Sequence, residues 1–303
     1  MARVSICVCT YNQQDTLRET LESLLRQQGD VDLEILVGED ASTDNTREIL
    51  LSAAMEDARI IPVLQEHNLG LTANFHSLLE QCSGDYICLC AGDDFWHDPL
   101  KLSKQTALLE LEPQTGVVYT GVIRWHTDLP GQPRETYIPP ELPAGGEFKA
   151  LMHNNPIPAI SVCFRKSLLR FLNLNQLRQQ GFTIEDYPMW LEFSRHTRFV
   201  CIPEPTATYR ITGTSISHSN QYDKNIRYQQ AIFDIRDYFR AKYPDSGMSQ
   251  VQADTLRFRR LANTALSFGK YAEARQFCRQ IPLWHARWRG YLKMLLHSRA
   301  SSR

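Results

Sequence analysis

Four short apolar runs constrain this chain more than any other feature, because each ends in polar residues and the stretches between them have helical periodicity. Residues 4–9 lead into Thr10-Tyr11-Asn12, and residues 33–37 lead into Gly38-Glu39-Asp40. Residues 59–64 are closed by Asn68-Leu69-Gly70, and residues 86–90 run into Ala91-Gly92-Asp93-Asp94. Between them, Thr16-x-x-Glu19 reads as a capping box opening a helix with Leu17, Leu21, Leu24 and Leu25 on one face. Ile49, Leu50, Ala53 and Ala54 mark a second helix, and Phe75, Leu78, Leu79 and Cys82 a third. Continuous apolar runs suit strands buried on both faces. Strand–helix alternation with short connections predicts an α/β fold, a Rossmann-like and mostly parallel sheet flanked by helices. Ligands of such sheets bind at the carboxyl ends of the strands. The polar residues after the runs are therefore expected to share one edge.

The two carboxylates Asp93 and Asp94 need explaining. Taken alone they describe a solvated turn, but at the end of a buried strand they are costly unless water, a cation or a substrate meets them. Asp98-Pro99 then predicts an N-cap and a first-turn proline for a helix over residues 99–111. Residues 117–119 form a strand candidate. Residues 128–146 hold five prolines and three glycines and read as a long surface loop. Strand character returns over 159–164. Glu185-Asp186 stands ahead of an amphipathic helix with Trp190, Leu191 and Phe193, and short strands are expected at 199–202 and 206–211. A polar loop containing His218 follows, and beyond Asn220 the pattern is helical. The expected domains are therefore 1–218 and 219–303. Ala265, Gly269, Tyr271 and Ala274 resemble half of a tetratricopeptide hairpin, and one copy supports a packed helix pair only.

Composition narrows the function classes. Net charge over 303 residues is −1, yet 16 lysines and arginines face 6 acids from Gln221 onward, against 17 and 28 before it. Residues 283–296 place Trp284, Trp288, Tyr291, Leu292 and Leu295 on one face, interleaved with Arg287, Arg289 and Lys293. That pattern fits a helix on an anionic membrane surface, and equally a helix packed on the domain with a solvated basic face. Its aromatics face the wrong way for a base-stacking platform, so no nucleic-acid partner is expected. The eight cysteines include no C-x-x-C pair, and Cys7, Cys9, Cys88 and Cys90 sit inside strand-like runs as small core residues. A reducing, cytoplasmic setting is the expectation. Met1-Ala2-Arg3 leads straight into a strand without a signal peptide, and no apolar run has the length of a membrane span.

Together, residues 4–12, Glu39-Asp40-Ala41-Ser42-Thr43-Asp44, Asn68-Leu69-Gly70, Gly84-Asp85-Tyr86-Ile87 with Gly92-Asp93-Asp94, and Glu185-Asp186 resemble the family 2 glycosyltransferases of the GT-A fold. The resemblance covers roughly residues 3 to 218 and leaves the helical C-terminus outside. It implies inverting transfer of a sugar from a nucleotide-sugar, with UDP as the expected carrier, to an acceptor hydroxyl. It also implies a divalent cation, Mg2+ or Mn2+, held by Asp93 with Asp94 near it. Thr10, Tyr11, Asn12, Glu39, Asp40, Asn68, Gly70 and Gly92 would surround the nucleotide, with Asp40 accepting from the base. Asp186, beside Glu185, would be the general base. Arg210, Trp96, Trp190 and His218 are candidates for diphosphate or acceptor contacts. The acceptor expected is a growing glycan, lipid-linked or part of a cell-surface polysaccharide, O-antigen or lipooligosaccharide.

Three departures from the family pattern stand out. Ala91 occupies the first position of Asp-x-Asp, which removes a carboxylate that often reaches the ribose. Phe75-His76 replaces an Arg-Asn pair, so Arg210 is the substitute cation. Trp284 stands where processive members carry a glutamine, which points to one sugar per encounter. Two rival readings remain. A degenerate domain kept as a partner-binding module is suggested by Ala91 and opposed by Asp40, Asp93 and Asp186. A sugar nucleotidyltransferase would need a glycine-rich loop where Thr10-Tyr11-Asn12-Gln13-Gln14 stands.

Overall fold

The computed structural model describes residues 1–129, 131–213 and 219–282. The chain forms two compact units, Met1–Ile211 and Thr212–Arg303. The first opens with β1 (Ala2–Thr10), α1 (Leu17–Leu25), β2 (Val31–Glu39), α2 (Thr46–Glu56), β3 (Ile60–Leu64), α3 (Leu71–Gln81) and β4 (Tyr86–Ala91). Strands pair in the order β3-β2-β1-β4, all parallel. Val4, Ile6 and Val8 are wholly buried, as are Ile35, Val37 and Cys88 on the neighbouring strands. Leu17, Leu21 and Leu24 of α1 close over this core, as their helical spacing requires. Each such side chain contributes about 1.5–3 kcal/mol on burial. Truncating Leu21 to alanine would remove about 2–5 kcal/mol.

The register decides where the polar ends fall. Thr10 pairs with Glu39 and Cys9 with Ala91, so β1, β2 and β4 finish in one row. Beyond β4 the chain makes β5 (Phe95–Trp96), α4 (Lys101–Leu111), β6 (Thr115–His126), β7 (Glu135–Tyr137), α5 (Glu147–His153), β8 (Cys163–Arg165), α6 (Leu174–Gln180), α7 (Tyr187–Phe193) and β9 (Arg198–Ile211). The sheet continues β4-β8-β6-β9-β5, with β7 on β6. β8 runs antiparallel to both β4 and β6, and β6 and β9 are parallel to each other. β4, β6 and β9 therefore point the same way, and all three deliver their carboxyl ends to one edge.

Several local expectations change. No side-chain capping bond forms at Thr16, whose hydroxyl donates to the Gly92 carbonyl at 2.9 Å. α4 starts at Lys101, and Asp98 instead accepts the main-chain N–H of Leu100 at 2.9 Å, one turn earlier. The expected strand at 159–164 begins as a 3-10 turn, Ala159–Ser161, because Ser161 bonds back to Pro158 through both its N–H and its hydroxyl. The two expected strands at 199–202 and 206–211 are one, β9. Its pairing with β6 is irregular around Thr120 and Gly121, opposite Pro203-Glu204-Pro205. Proline there cannot donate to the ladder, which interrupts the pattern without ending the strand. Among the described residues of 128–146, β7 is the only strand and no helix forms.

The second unit contains α8 (Tyr222–Lys242), α9 (Gln250–Ser267) and α10 (Tyr271–Gln280). Ser249 and Gln252 form a reciprocal capping box on α9. Arg257 of α9 reaches Asp234 and Asp237 of α8. α9 and α10 pack through Ala265, Leu266 and Ala274, the helix pair that the Ala-Gly-Tyr-Ala spacing predicts. Among the described residues no helix is long and apolar enough to cross a membrane. The basic aromatic segment 283–296 and His218 lie outside the described residues.

Candidate active site

The first corner of the edge is built by two turns that lock each other. Asn12 and Ala41 both take left-handed backbone conformations, with φ of 53° and 56°. Asn tolerates this, whereas Ala does so at a cost of roughly 1–2 kcal/mol. Cross-bonds hold both in place: Asn12 N–H donates to Ser42 Oγ at 2.9 Å, and Thr43 N–H donates to Asn12 Oδ1 at 2.8 Å. Glu39 is fully buried, accepting from Ser42 N–H at 2.6 Å and pairing with Arg47. Asn12 and Glu39 thus have internal partners, while Tyr11, 44% exposed, presents its ring to solvent.

Asp40 organises the next turn. One carboxylate oxygen accepts Leu69 N–H at 2.7 Å, the other accepts Gly70 N–H at 2.9 Å, and Asn68 Nδ2 donates to the Asp40 carbonyl at 3.1 Å. Gly70 sits at φ +81°, a conformation that lets the chain turn into α3. Asp40, Asn68 and Gly70 are therefore one unit, and each carboxylate oxygen keeps a second lone pair for a ligand.

The second corner is the Gly92-Asp93-Asp94 turn. A side chain at Gly92 would stand 2.4 Å from Gln13 Oε1 and 2.7 Å from Thr10 Oγ1, so only glycine fits. From α1, Thr16 and Thr20 donate to the Gly92 carbonyl, and Thr20 also donates to the Asp94 carbonyl at 2.6 Å. The two acids then diverge. Asp94 is 2% exposed and accepts the main-chain N–H of Arg210 at 2.7 Å. Burial, reinforced by the neighbouring Asp93, pushes its carboxyl well above the usual range. Asp93 is half-buried and its side chain meets Gln13; burial pushes its carboxyl up while the Arg210 charge opposes this. Arg210 itself donates to the Asp93 carbonyl at 2.5 Å, pairs with Glu19, and lies over the rings of Phe95 and Trp125.

The third element is the Glu185-Asp186 pair at the start of α7. Asp186 is 8% exposed and accepts from Trp190 Nε1 at 2.9 Å. Burial pushes its carboxyl up, and the Trp190 and Tyr187 N–H groups pull it back. Burial and then the Asp186 charge push Glu185 up as well. At the end of β1 the Cys9 thiol is pushed up by burial, by the Glu185 charge and by the Asp40 charge in that order. Cys9 is half-buried and not the core filler expected, whereas Cys7, Cys88 and Cys90 are buried.

Two further candidates, Trp96 and Trp190, are buried. Trp96 belongs to the core, with Lys101 Nζ 4.2 Å from its ring centroid. Trp190 lies wholly buried behind Asp186. His76 is pushed down to about 4 by burial and then by Arg178, so it supplies no charge at neutral pH, and Phe75, in the place of the family's arginine, is buried. Sequence reasoning missed Gln13, Glu19 and Thr20. Thr16, Glu19 and Thr20 share one face of α1, a signal that was visible at i, i+3, i+4 spacing but read as a cap.

Among the described residues no group of three His, Cys, Asp or Glu side chains is arranged to hold a metal. Mg2+ and Mn2+ sites that share ligands with substrate phosphates need one or two carboxylates only. Asp93 fits that requirement, whereas Asp94 already has one oxygen on the Arg210 N–H.

Comparisons with known proteins bear on the family and the fold. The first curated relatives, uncharacterized mycobacterial proteins, are 32% identical over 231 residues, and the chain spans 62% of their length. The Escherichia coli UDP-Glc:α-D-GlcNAc-diphosphoundecaprenol β-1,3-glucosyltransferase WfaP is 26% identical over 251 residues, 78% of this chain and 87% of that one. In fold, the chain is similar to S. aureus TarS (residues 1–349), with a TM-score of 0.55, 16% identity and coverage of 92% and 81%. It is also similar to a Pyrobaculum calidifontis mannosyltransferase in complex with GDP-Man and Mn2+, with a TM-score of 0.55, 15% identity and coverage of 97% and 87%. The sheet and its flanking helices are those of a GT-A domain. The family model described as glycosyl transferase family 2 matches residues 5–176, more than half the chain, and this chain belongs to that family.

Proposed function

We propose that the chain transfers one sugar per encounter from a nucleotide-sugar to an acceptor hydroxyl, with inversion at the anomeric carbon, in the cytoplasm. The observation that carries the reading is the meeting of three carboxylate groups along one sheet edge. Asp40 follows β2, Asp93 follows β4, and Glu185, beside Asp186, is near enough for its charge to act on Cys9 at the end of β1. Asp40 would accept from the base, Tyr11 would stack on it, and Thr10 would border the ribose. Asp93 would hold Mg2+ or Mn2+ together with the diphosphate oxygens. A cation bound there supplies charge neutralisation to the leaving diphosphate. Asp186 would take the proton of the attacking hydroxyl, and its buried position keeps its pKa nearer the working pH than an exposed aspartate's.

UDP is the nucleotide we favour, and support comes from the UDP-Glc donor in the name of WfaP. The same name supports a lipid-linked diphosphate acceptor, which would bring the basic C-terminal region to an anionic membrane surface. The test is a thermal-shift and hydrolysis screen of UDP-, GDP- and dTDP-sugars, each with and without Mn2+. The expected result is a selective shift by one UDP-sugar that grows with Mn2+. No shift from any nucleotide-sugar would leave the partner-binding module as the better reading.

A further inference from the structure

We infer that Trp190 is a positioning residue for the base: its indole N–H fixes Oδ2 of Asp186 and leaves Oδ1 as the oxygen that receives the acceptor's proton. This rests on the reading of Asp186 as the base. The contact is 2.9 Å, a normal hydrogen bond between groups that are both buried. Asp186 is the N-cap of α7 and Trp190 stands one turn further on, so the indole reaches back along the helix. The main chain makes the same return, with Trp190 N–H donating to the Asp186 carbonyl at 3.1 Å. Phe164 and Phe193 meet the indole edge-on, at centroid distances of 5.9 and 6.2 Å, which prevents its rotation. Pairing is not automatic for a buried indole here, because Trp96 is as deeply buried and its N–H has no partner.

A fixed Oδ2 has two consequences. A carboxylate with one oxygen anchored cannot spin about its χ2 bond, so the other oxygen keeps its aim through the reaction. The N–H also favours the ionised form in a site where burial opposes it. The titratable groups nearby are Glu185 on the same turn and, through Glu185, the Cys9 thiol of β1, which also feels the Asp40 charge. None is cationic, so hydrogen bonds from Trp190 and Tyr187 carry that task.

The test uses the full chain with the best donor from the nucleotide-sugar screen. Trp190→Phe keeps an aromatic core and removes the N–H. Replacing Trp190 by benzothienylalanine keeps the bicyclic outline and puts sulfur where the N–H was, which separates the hydrogen bond from packing. Both replacements are expected to lower kcat about tenfold with KM nearly unchanged, and to move the acid limb of the pH profile up by about one unit. A ¹³C titration of the Asp186 carboxyl, assigned with Asp186→Asn, should move by the same amount. A benzothienylalanine enzyme with the wild-type profile and titration would overturn the positioning role. An Asp186→Asn enzyme with full turnover would overturn the base assignment itself.

Discussion

Asp93-Asp94 and Glu185-Asp186 look alike in sequence and are used differently. In each pair the second acid is the more buried, and in each it accepts a hydrogen bond from within the protein. Asp94 takes a main-chain N–H from Arg210, 116 residues away, so its partner is another strand of the sheet. Asp186 takes an indole N–H from four residues away on its own helix. The first bond closes the fold and occupies Asp94, so Asp93 is the member of that pair proposed to meet a ligand. The second anchors Oδ2 of a side chain proposed to act as the base. A pair of acids therefore announces a site without saying which member acts; the origin of the donor says that.

The contrast can be broken at four points. Asp186→Asn should lower turnover by roughly 10²- to 10⁴-fold with donor affinity unchanged, measured by steady-state kinetics and calorimetry. Full turnover would mean that Asp186 is not the base. In the wild type, the same assignment predicts activity that rises with pH through a midpoint above the ordinary aspartate value of about 4, since burial raises Asp186 and only its ionised form accepts a proton. Asp93→Ala should weaken nucleotide-diphosphate binding about tenfold or more in Mn2+ and little without it. Equal affinity in the two conditions for both proteins would remove the metal role. Asp94→Ala should act on stability, losing about 1–3 kcal/mol in denaturant titrations because the Arg210 N–H is left buried and unpaired. Glu19→Gln should have the smallest effect, about 1 kcal/mol or less, because the Glu19 end of its pair with Arg210 is half exposed.

Much of the sheet was legible because its signal is local. Continuous apolar runs at 4–9, 33–37 and 86–90 mark strands buried on both faces, and β1, β2 and β4 cover all three. The partners of the site residues were not legible, because they depend on which remote strand arrives. Nothing near Asp94 in sequence names Arg210, and nothing near Arg210 names Glu19. Thr16 shows the same limit, since a capping box and a donor to Gly92 use the same residue at the same spacing. Trp190 lay within reach of sequence reasoning: an N-cap acid and a tryptophan four residues on are close enough to bond. The sequence marks it only as a candidate for diphosphate or acceptor contacts, because helical spacing gives proximity and not the direction of the N–H.

The bond from Asp94 to Arg210 also sets when the site can exist. β1, β2, β3 and β4 are complete within the first 91 residues and can pair as a parallel core while the rest of the chain is still being made. The Asp93 turn has no such independence, because Asp94, the Asp93 carbonyl and Glu19 are all held by a residue at position 210. A nascent chain would thus carry the parallel core strands well before it could fix the Asp93 turn. If that turn serves the proposed donor site, capture of a donor would wait until β9 has docked, and a chain released short of that strand would expose the edge without its Arg210 anchor.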